Sequence, residues 1–447
     1  MEFSLRNIKA DTRTLNVIKN TFASGIMKVC TLLCSLLIVP ITIDYMDNER
    51  YGIWMTLSSI IYWFAFMDIG LGNGMRNYMA EAFSKGNMRA AQSYFSTAIF
   101  LLTAIGLLIC VAIIPLIYLC DLTSILNTKL VTEDTLRCTV TIVAIFSLLQ
   151  FVTKNIGMVY VAMQKYAVND LINLLSSVCS LIAIYILTKT TKGNIIYVVT
   201  VFTSMPVLMY VLSAIPLLYK YPQLKPSVKT IDLLSAKQIV LKGLGFFAIQ
   251  ITSCLVIFSS ANIFISHYCG PESATVYNVA YKYFNVLVIA YTIVISPLWN
   301  AYTDASIKND YEWIRKNFKR SLYIWGLSVL GGVVMLALSG WFYDIWVKDR
   351  IAIPLSVSAS VFAYLCFFNL NNCVTFLING LNKIRIQIIT SITFTVLYII
   401  SITIIQDHYG IVGISLSMSV AYLLMALIHL YQCRLLIRQK AEGIWNK

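Results

Sequence analysis

Four cations lie where so apolar a chain rarely keeps them. Lys28, Arg76, Lys154 and Lys282 fall inside, or at the edge of, long hydrophobic runs. A charge at the centre of a membrane helix costs about 3 kcal/mol on insertion scales, and it persists where it faces water or a partner. Ammonium and guanidinium groups give charge-assisted bonds to phosphate oxygens. Coulomb attraction in a low-dielectric passage is several-fold stronger than in bulk water. The chemistry these four residues suit is the capture of a large anion. Each also has a plainer reading. Lys28 could snorkel, although it lies nine residues past Lys19, about 14 Å along a helix. Lys154 and Arg76 are near enough to a span end to reach the interface. Lys282, seven residues into its span, has polar neighbours on its own face.

Around the cations run polar stripes at helical spacing. Thr21, Ser24, Lys28, Thr31 and Ser35 follow at steps of three and four, and Asn278, Lys282 and Asn285 repeat the pattern. Gln250 and Ser253 add a shorter stripe. The stretch Asp68-Ile-Gly-Leu-Gly-Asn-Gly-Met-Arg-Asn77 places a carboxylate, a guanidinium, two carboxamides and three glycines after the apolar run 51–67. Asn73 and Arg76 would line a wet cavity there. Asp68 reads equally as a functional carboxylate and as the structural partner of one of the cations. Gly70 and Gly74 also read as a small-xxx-small packing pair.

The elements that must position these residues follow from composition. The 447 residues are 59% hydrophobic and 12% charged, with a mean hydropathy of +0.76. A soluble domain carries roughly 25% charged residues. Twelve runs are long enough to cross a bilayer: 17–43, 51–80, 93–118, 137–162, 169–188, 194–218, 240–266, 275–303, 320–346, 353–380, 386–406 and 411–433. The expected fold is an all-α integral membrane protein. Its N-terminal lobe (1–218) and C-terminal lobe (240–447, with a basic tail) carry six helices each. A central cavity between the two lobes is expected. The Pro- and Lys-bearing segment 219–239 is the cytoplasmic linker. The turn before Tyr51 is weakly echoed by Gly270-Pro-Glu272 before Tyr277, as in a parallel repeat.

The net charge of +14 does not indicate nucleic acid. Basic residues gather between alternate spans, roughly three to one over the opposite loops, which is the positive-inside pattern. Both termini are expected in the cytoplasm, with the first helix as an uncleaved anchor. An amphipathic start to the chain is an equal alternative to an N-terminal extension of that helix.

No GxxxxGK[ST] motif is present, so ATP hydrolysis by this chain is not expected. The cysteines read as small packing residues and His267, His408 and His429 as topological or interfacial. No metal, cofactor or catalytic set is expected.

Two stretches carry a family resemblance. One is Tyr51-Gly-Ile-Trp54 through Asp68–Asn77, Ala80-Glu81-Ala82 and Tyr94–Thr97. The other is Ser296-Pro-Leu-Trp-Asn-Ala-Tyr-Thr-Asp304 with Asp310–Arg315. The chain resembles the Wzx-type flippases of bacterial polysaccharide synthesis, in the multidrug/oligosaccharidyl-lipid/polysaccharide exporter superfamily. The resemblance implies two six-helix lobes in a V, alternating access in the bacterial inner membrane and, where exchange is coupled to an ion, Asp68 as the candidate carboxylate. It implies as cargo an undecaprenyl-pyrophosphate-linked repeat unit of O-antigen or exopolysaccharide, held by a cationic lumen at Lys28, Arg76, Lys154 and Lys282. Membrane lipid, a polysaccharide polymerase and a chain-length regulator are the partners it suggests, around a monomer. The alternatives are a drug/cation antiporter of the same superfamily, which would need more buried carboxylates than cations, and a membrane polymerase, which would need larger outer loops.

Overall fold

The computed structural model describes residues 12–232 and 260–446. Gln250 and Ser253 lie outside the described residues, as do the side chains of Asp68 and Asn73 within their helix. Six long helices come first: α1 (Thr12–Met46), α2 (Asn48–Ser84), α3 (Met88–Leu119), α4 (Glu133–Ala162), α5 (Tyr166–Thr190) and α6 (Ile195–Lys220). Then follow α7 (Ala261–Cys269), α8 (Pro271–Ile307), α9 (Tyr311–Ala337) and α10 (Leu355–Gly380). The last two, α11 (Arg385–Ile405) and α12 (Tyr409–Ile437), form one run broken at Gly410, whose φ is 48°. Among the described residues there is no strand, and ten helices are long and apolar enough to cross a membrane. The chain is a multi-pass membrane protein.

Local chemistry sets the helix ends. The Asp47 carboxylate accepts from the Arg50 N–H at 2.8 Å and opens α2. Asn87 caps α3 and Asp310 caps α9 in the same way, at 3.0 Å from the Ala90 and Trp313 N–H groups. Pro271 starts α8, where its missing N–H costs nothing, and Gly270 turns into it at φ 89°. One expected span divides. The run 320–346 becomes the end of α9, which stops at Ala337, and a separate short helix, Ser339–Trp346. That short helix is held from outside: Tyr343 OH bonds Ser358 Oγ at 3.1 Å, and Trp346 Nε1 donates to the Leu36 carbonyl at 2.8 Å.

Buried apolar side chains show how the helices group. At one end a single cluster crosses the whole molecule, from Val39, Tyr51 and Leu57 to Tyr277, Phe284, Tyr364 and Met418. Toward the other end it gives way to two. One draws only on residues 75–224, around Met75, Phe95, Val159 and Tyr210. The other draws only on 291–436, around Tyr302, Ile314, Leu377 and Cys433. The helices therefore form two lobes joined at a seam and splayed away from it. The segment after α6 is tied back onto the first lobe. Gln92 Nε2 donates to the Lys225 carbonyl at 2.9 Å, and the Ser227 and Asp232 N–H groups donate to Ser96 and Thr97 hydroxyls at 3.1 Å.

The seam is built where the starts of α2 and α8 meet. A Cβ at Gly52 would overlap the Pro271 carbonyl oxygen, so glycine is what allows this approach. Thr275 Oγ1 donates to the Asn48 carbonyl at 2.6 Å. Asn48 Nδ2 donates to the Arg350 carbonyl at 2.9 Å. The Arg350 guanidinium pairs with both oxygens of Asp44. The turns before Tyr51 and Tyr277, only weakly alike in sequence, thus meet at the seam.

Candidate functional site: a cavity below the seam

Between the lobes, on the inner side of the seam, lies a cavity of about 570 Å³. This is within the roughly 300–1,000 Å³ of small-ligand sites. α1 contributes Cys34 and Ser35; α2 contributes Tyr51, Trp54, Ser58 and Ser59. Ser176, Ser177 and Ser180 come from α5 and Phe202 from α6. The second lobe supplies Asn262 from α7 and Tyr277, Asn278, Tyr281, Lys282 and Asn285 from α8. Among the described residues that line it, Lys282 is the one charge. Its ammonium donates to the Tyr51 hydroxyl at 3.2 Å and stands 5.9 Å from the centre of that ring. Tyr51 itself is packed to 1% exposure.

Amides and hydroxyls continue the wall across the seam. Asn278 Nδ2 donates to Asn262 Oδ1 at 2.6 Å, and Asn262 Nδ2 donates to Ser59 Oγ at 2.8 Å. Aromatic pairs face the space: Trp54 stacks on Phe202 at 5.0 Å, and Tyr277 on Tyr281 at 6.1 Å. Such a wall offers one cation, a set of neutral hydrogen-bonding groups and flat apolar faces.

The expected site residues separate into groups. Lys282, Asn278, Asn285 and Ser35 come together in the cavity. Lys28 lies two helical turns before Ser35 on the same face of α1, half-exposed, with its ammonium 3.9 Å from Asp170 Oδ2. Ser24 donates its hydroxyl to the same carboxylate. Thr31 turns its hydroxyl back to the Met27 carbonyl at 2.8 Å. Arg76 on α2 and Lys154 on α4 are half-buried in the first lobe. Asp68 and Asn73 lie on α2.

The sequence reading did not select the α5 serines or the aromatic residues of the wall. The serine spacing was visible; the aromatic residues carry no such mark, because a lipid-facing helix uses them too. His429 also differs from its interfacial expectation. It is 1% exposed, between Thr390 Oγ1 and Asn371 Oδ1 at 2.9 Å each, and joins α10, α11 and α12.

Two helical lobes with a mixed polar and apolar cavity at their junction are an architecture shared with solved membrane transporters. The same fold occurs in an inward-facing MATE family multidrug transporter of the MOP superfamily (TM-score 0.74, 13% identity, 95% of this chain and 98% of that one). It also occurs in a MOP superfamily transporter of Pyrococcus furiosus described by the reverse polarity of its binding pocket (TM-score 0.64, 12% identity, 96% of each chain). The chain belongs to the polysaccharide biosynthesis protein family, whose profile matches residues 17–298. It is 24% identical over 407 residues to a Salmonella typhi protein provisionally named an O-antigen transporter, covering 88% of this chain and 90% of that one. It is 22% identical over 308 residues to a Yersinia pseudotuberculosis protein provisionally named an O-antigen export protein, covering 67% and 68%.

Proposed function

We propose that the protein is a flippase, not an enzyme, that carries an undecaprenyl-pyrophosphate-linked oligosaccharide repeat unit across the bacterial inner membrane. The observation that carries this reading is the cavity wall: Lys282 among serines, asparagines and aromatic faces, with no carboxylate among the described lining residues. A pyrophosphate needs the cation. Sugar hydroxyls need the amides and hydroxyls, and sugar ring faces suit the aromatic ones. A hydrophobic cation would meet the Lys282 ammonium as a like charge, with no carboxylate among the described lining residues to offset it. The names of the relatives, O-antigen transporter and export protein, point the same way.

Orientation follows from charge. With both termini cytoplasmic, as the basic loops favour, the seam faces outward and the splayed end faces the cytoplasm, where the cargo is made. Residues 1–218 and 240–447 then rock about the cavity, linked by 219–239, and the seam opens as the splayed end closes. Lys28, Arg76 and Lys154 extend the cationic path on the first lobe. Asp68 remains the candidate for ion coupling.

The test is reconstitution into vesicles with a fluorescent lipid-linked repeat unit in one leaflet, with and without an ion gradient. The expected outcome is protein-dependent exposure of label on the other leaflet, lost in Lys282→Ala. Export of a cationic dye in place of the glycolipid would overturn the reading.

A further inference from the structure

The contacts across the seam are of two kinds. On the outer side, Asp44–Arg350, Asn48–Arg350 and Thr275–Asn48 use groups that do not line the cavity. On the inner side, Lys282 to Tyr51 and Asn262 to Ser59 cross between the lobes through side chains that do; Asn278 holds Asn262 from within its own lobe, and Thr56 Oγ1 donates to the Asn262 carbonyl at 3.3 Å without lining the cavity. A ligand in the cavity must therefore compete with the inner seam for its own binding groups.

We propose that Tyr51 and Asn262 are sensing residues that let the seam respond to a loaded lipid carrier and not to a bare one. This rests on the reading of the cargo as a glycosylated lipid pyrophosphate. The first contact responds to phosphate. An ammonium gains more from a charged phosphate oxygen than from a neutral phenol, so pyrophosphate draws Lys282 off Tyr51. The Tyr51 ring, 1% exposed at the edge of the cavity, is held by its packing and does not follow. The second contact responds to sugar. Asn262 gives its amide N–H to a serine hydroxyl, and a sugar hydroxyl offers the same acceptor at the same strength. A carrier without its glycan releases the first contact and leaves the second shut. A loaded carrier releases both. The two contacts are separated along α2 by the eight residues from Tyr51 to Ser59, about 12 Å at 1.5 Å per residue. A headgroup of pyrophosphate plus a first sugar reaches both.

The experiment is amide hydrogen exchange on the purified full chain, followed in segments 48–59 and 271–282. The probes are inorganic pyrophosphate, a bare polyprenyl pyrophosphate, and the same lipid carrying a disaccharide. In the wild type the disaccharide lipid should speed exchange at the seam beyond the bare lipid by roughly two- to tenfold, the scale of one neutral hydrogen bond. Asn262→Ala should make the two lipids indistinguishable. So should Ser59→Ala, which keeps the Asn262–Asn278 pair and guards against a folding defect. Tyr51→Phe should exchange faster before any lipid is added and lose the further step caused by bare lipid. Binding of both lipids with an unchanged seam, or continued discrimination in Asn262→Ala and Ser59→Ala, overturns this inference alone. No binding of either lipid by the wild type overturns the cargo reading and this inference with it.

Discussion

Lys282 and Lys28 are both lysines set deep in apolar helices, and the protein treats them differently. Lys282 leans on a neutral phenol, with no carboxylate among the described residues lining the cavity. Lys28 faces the Asp170 carboxylate, itself held by Ser24, so a negative charge stands beside it. Sequence position alone does not set the field a cation exerts; the group opposite it does. On the proposed reading, the second lobe holds a positive site and the first a masked one that an anionic cargo competes to unmask.

Breaking the stronger site should have the largest effect. Lys282→Ala should lower affinity for a lipid pyrophosphate by roughly ten- to a hundredfold, the scale of a charge-assisted bond, and abolish surface polysaccharide at normal protein levels. Lys28→Ala should cost less, and Lys28→Arg should retain more than Lys28→Ala. Normal polysaccharide in both alanine variants would remove the cationic-path reading.

The seam is next. Gly52→Ala should force α2 away from Pro271, since the new methyl meets backbone. Overpacking of this kind costs about 1–3 kcal/mol and should appear as a lower melting temperature with faster exchange at 48–59. Gly326, with nothing near its Cβ position, is the control that should show no such loss.

A smaller effect sharpens the comparison of the two lysines. Asp170→Asn should raise headgroup affinity roughly two- to fivefold by releasing Lys28, the scale of a part-exposed ion pair. Unchanged affinity would mean that Lys28 never meets the cargo.

The smallest effect concerns a carboxylate held by hydroxyls in place of an ammonium. Ser124, then Thr123, holds Asp121 down to about 2 at the start of the short helix Leu122–Leu126. Because the folded value is depressed, its contribution is complete above the ordinary carboxylate range and fades as pH falls toward 2. Exchange across 121–127 between pH 4 and 2 should show this, and Asp121→Asn should flatten the profile.

The spans were legible because bilayer thickness dictates run length; the helix starts were not read that way, since Asp47, Asn87 and Asp310 cap α2, α3 and α9 ahead of the apolar runs that begin at 51, 93 and 320. Lys282 was legible through Asn278 and Asn285 on its own face. Asp170 as the partner of Lys28 was not. The two are 142 positions apart, and nothing in either segment announces the other. Nor was the division at Leu338, since the short helix after it is held by Leu36 and Ser358 from distant parts of the chain.

A wall with one described lysine grips an anion loosely. Free nucleotides and inorganic phosphates carry as much charge as a lipid headgroup and are abundant in the cytosol. What distinguishes the lipid is its tether, which confines the headgroup near the opening and raises its effective concentration. Loose grip also shortens dwell time, so release need not limit turnover. The sparing use of charge here favours throughput over affinity.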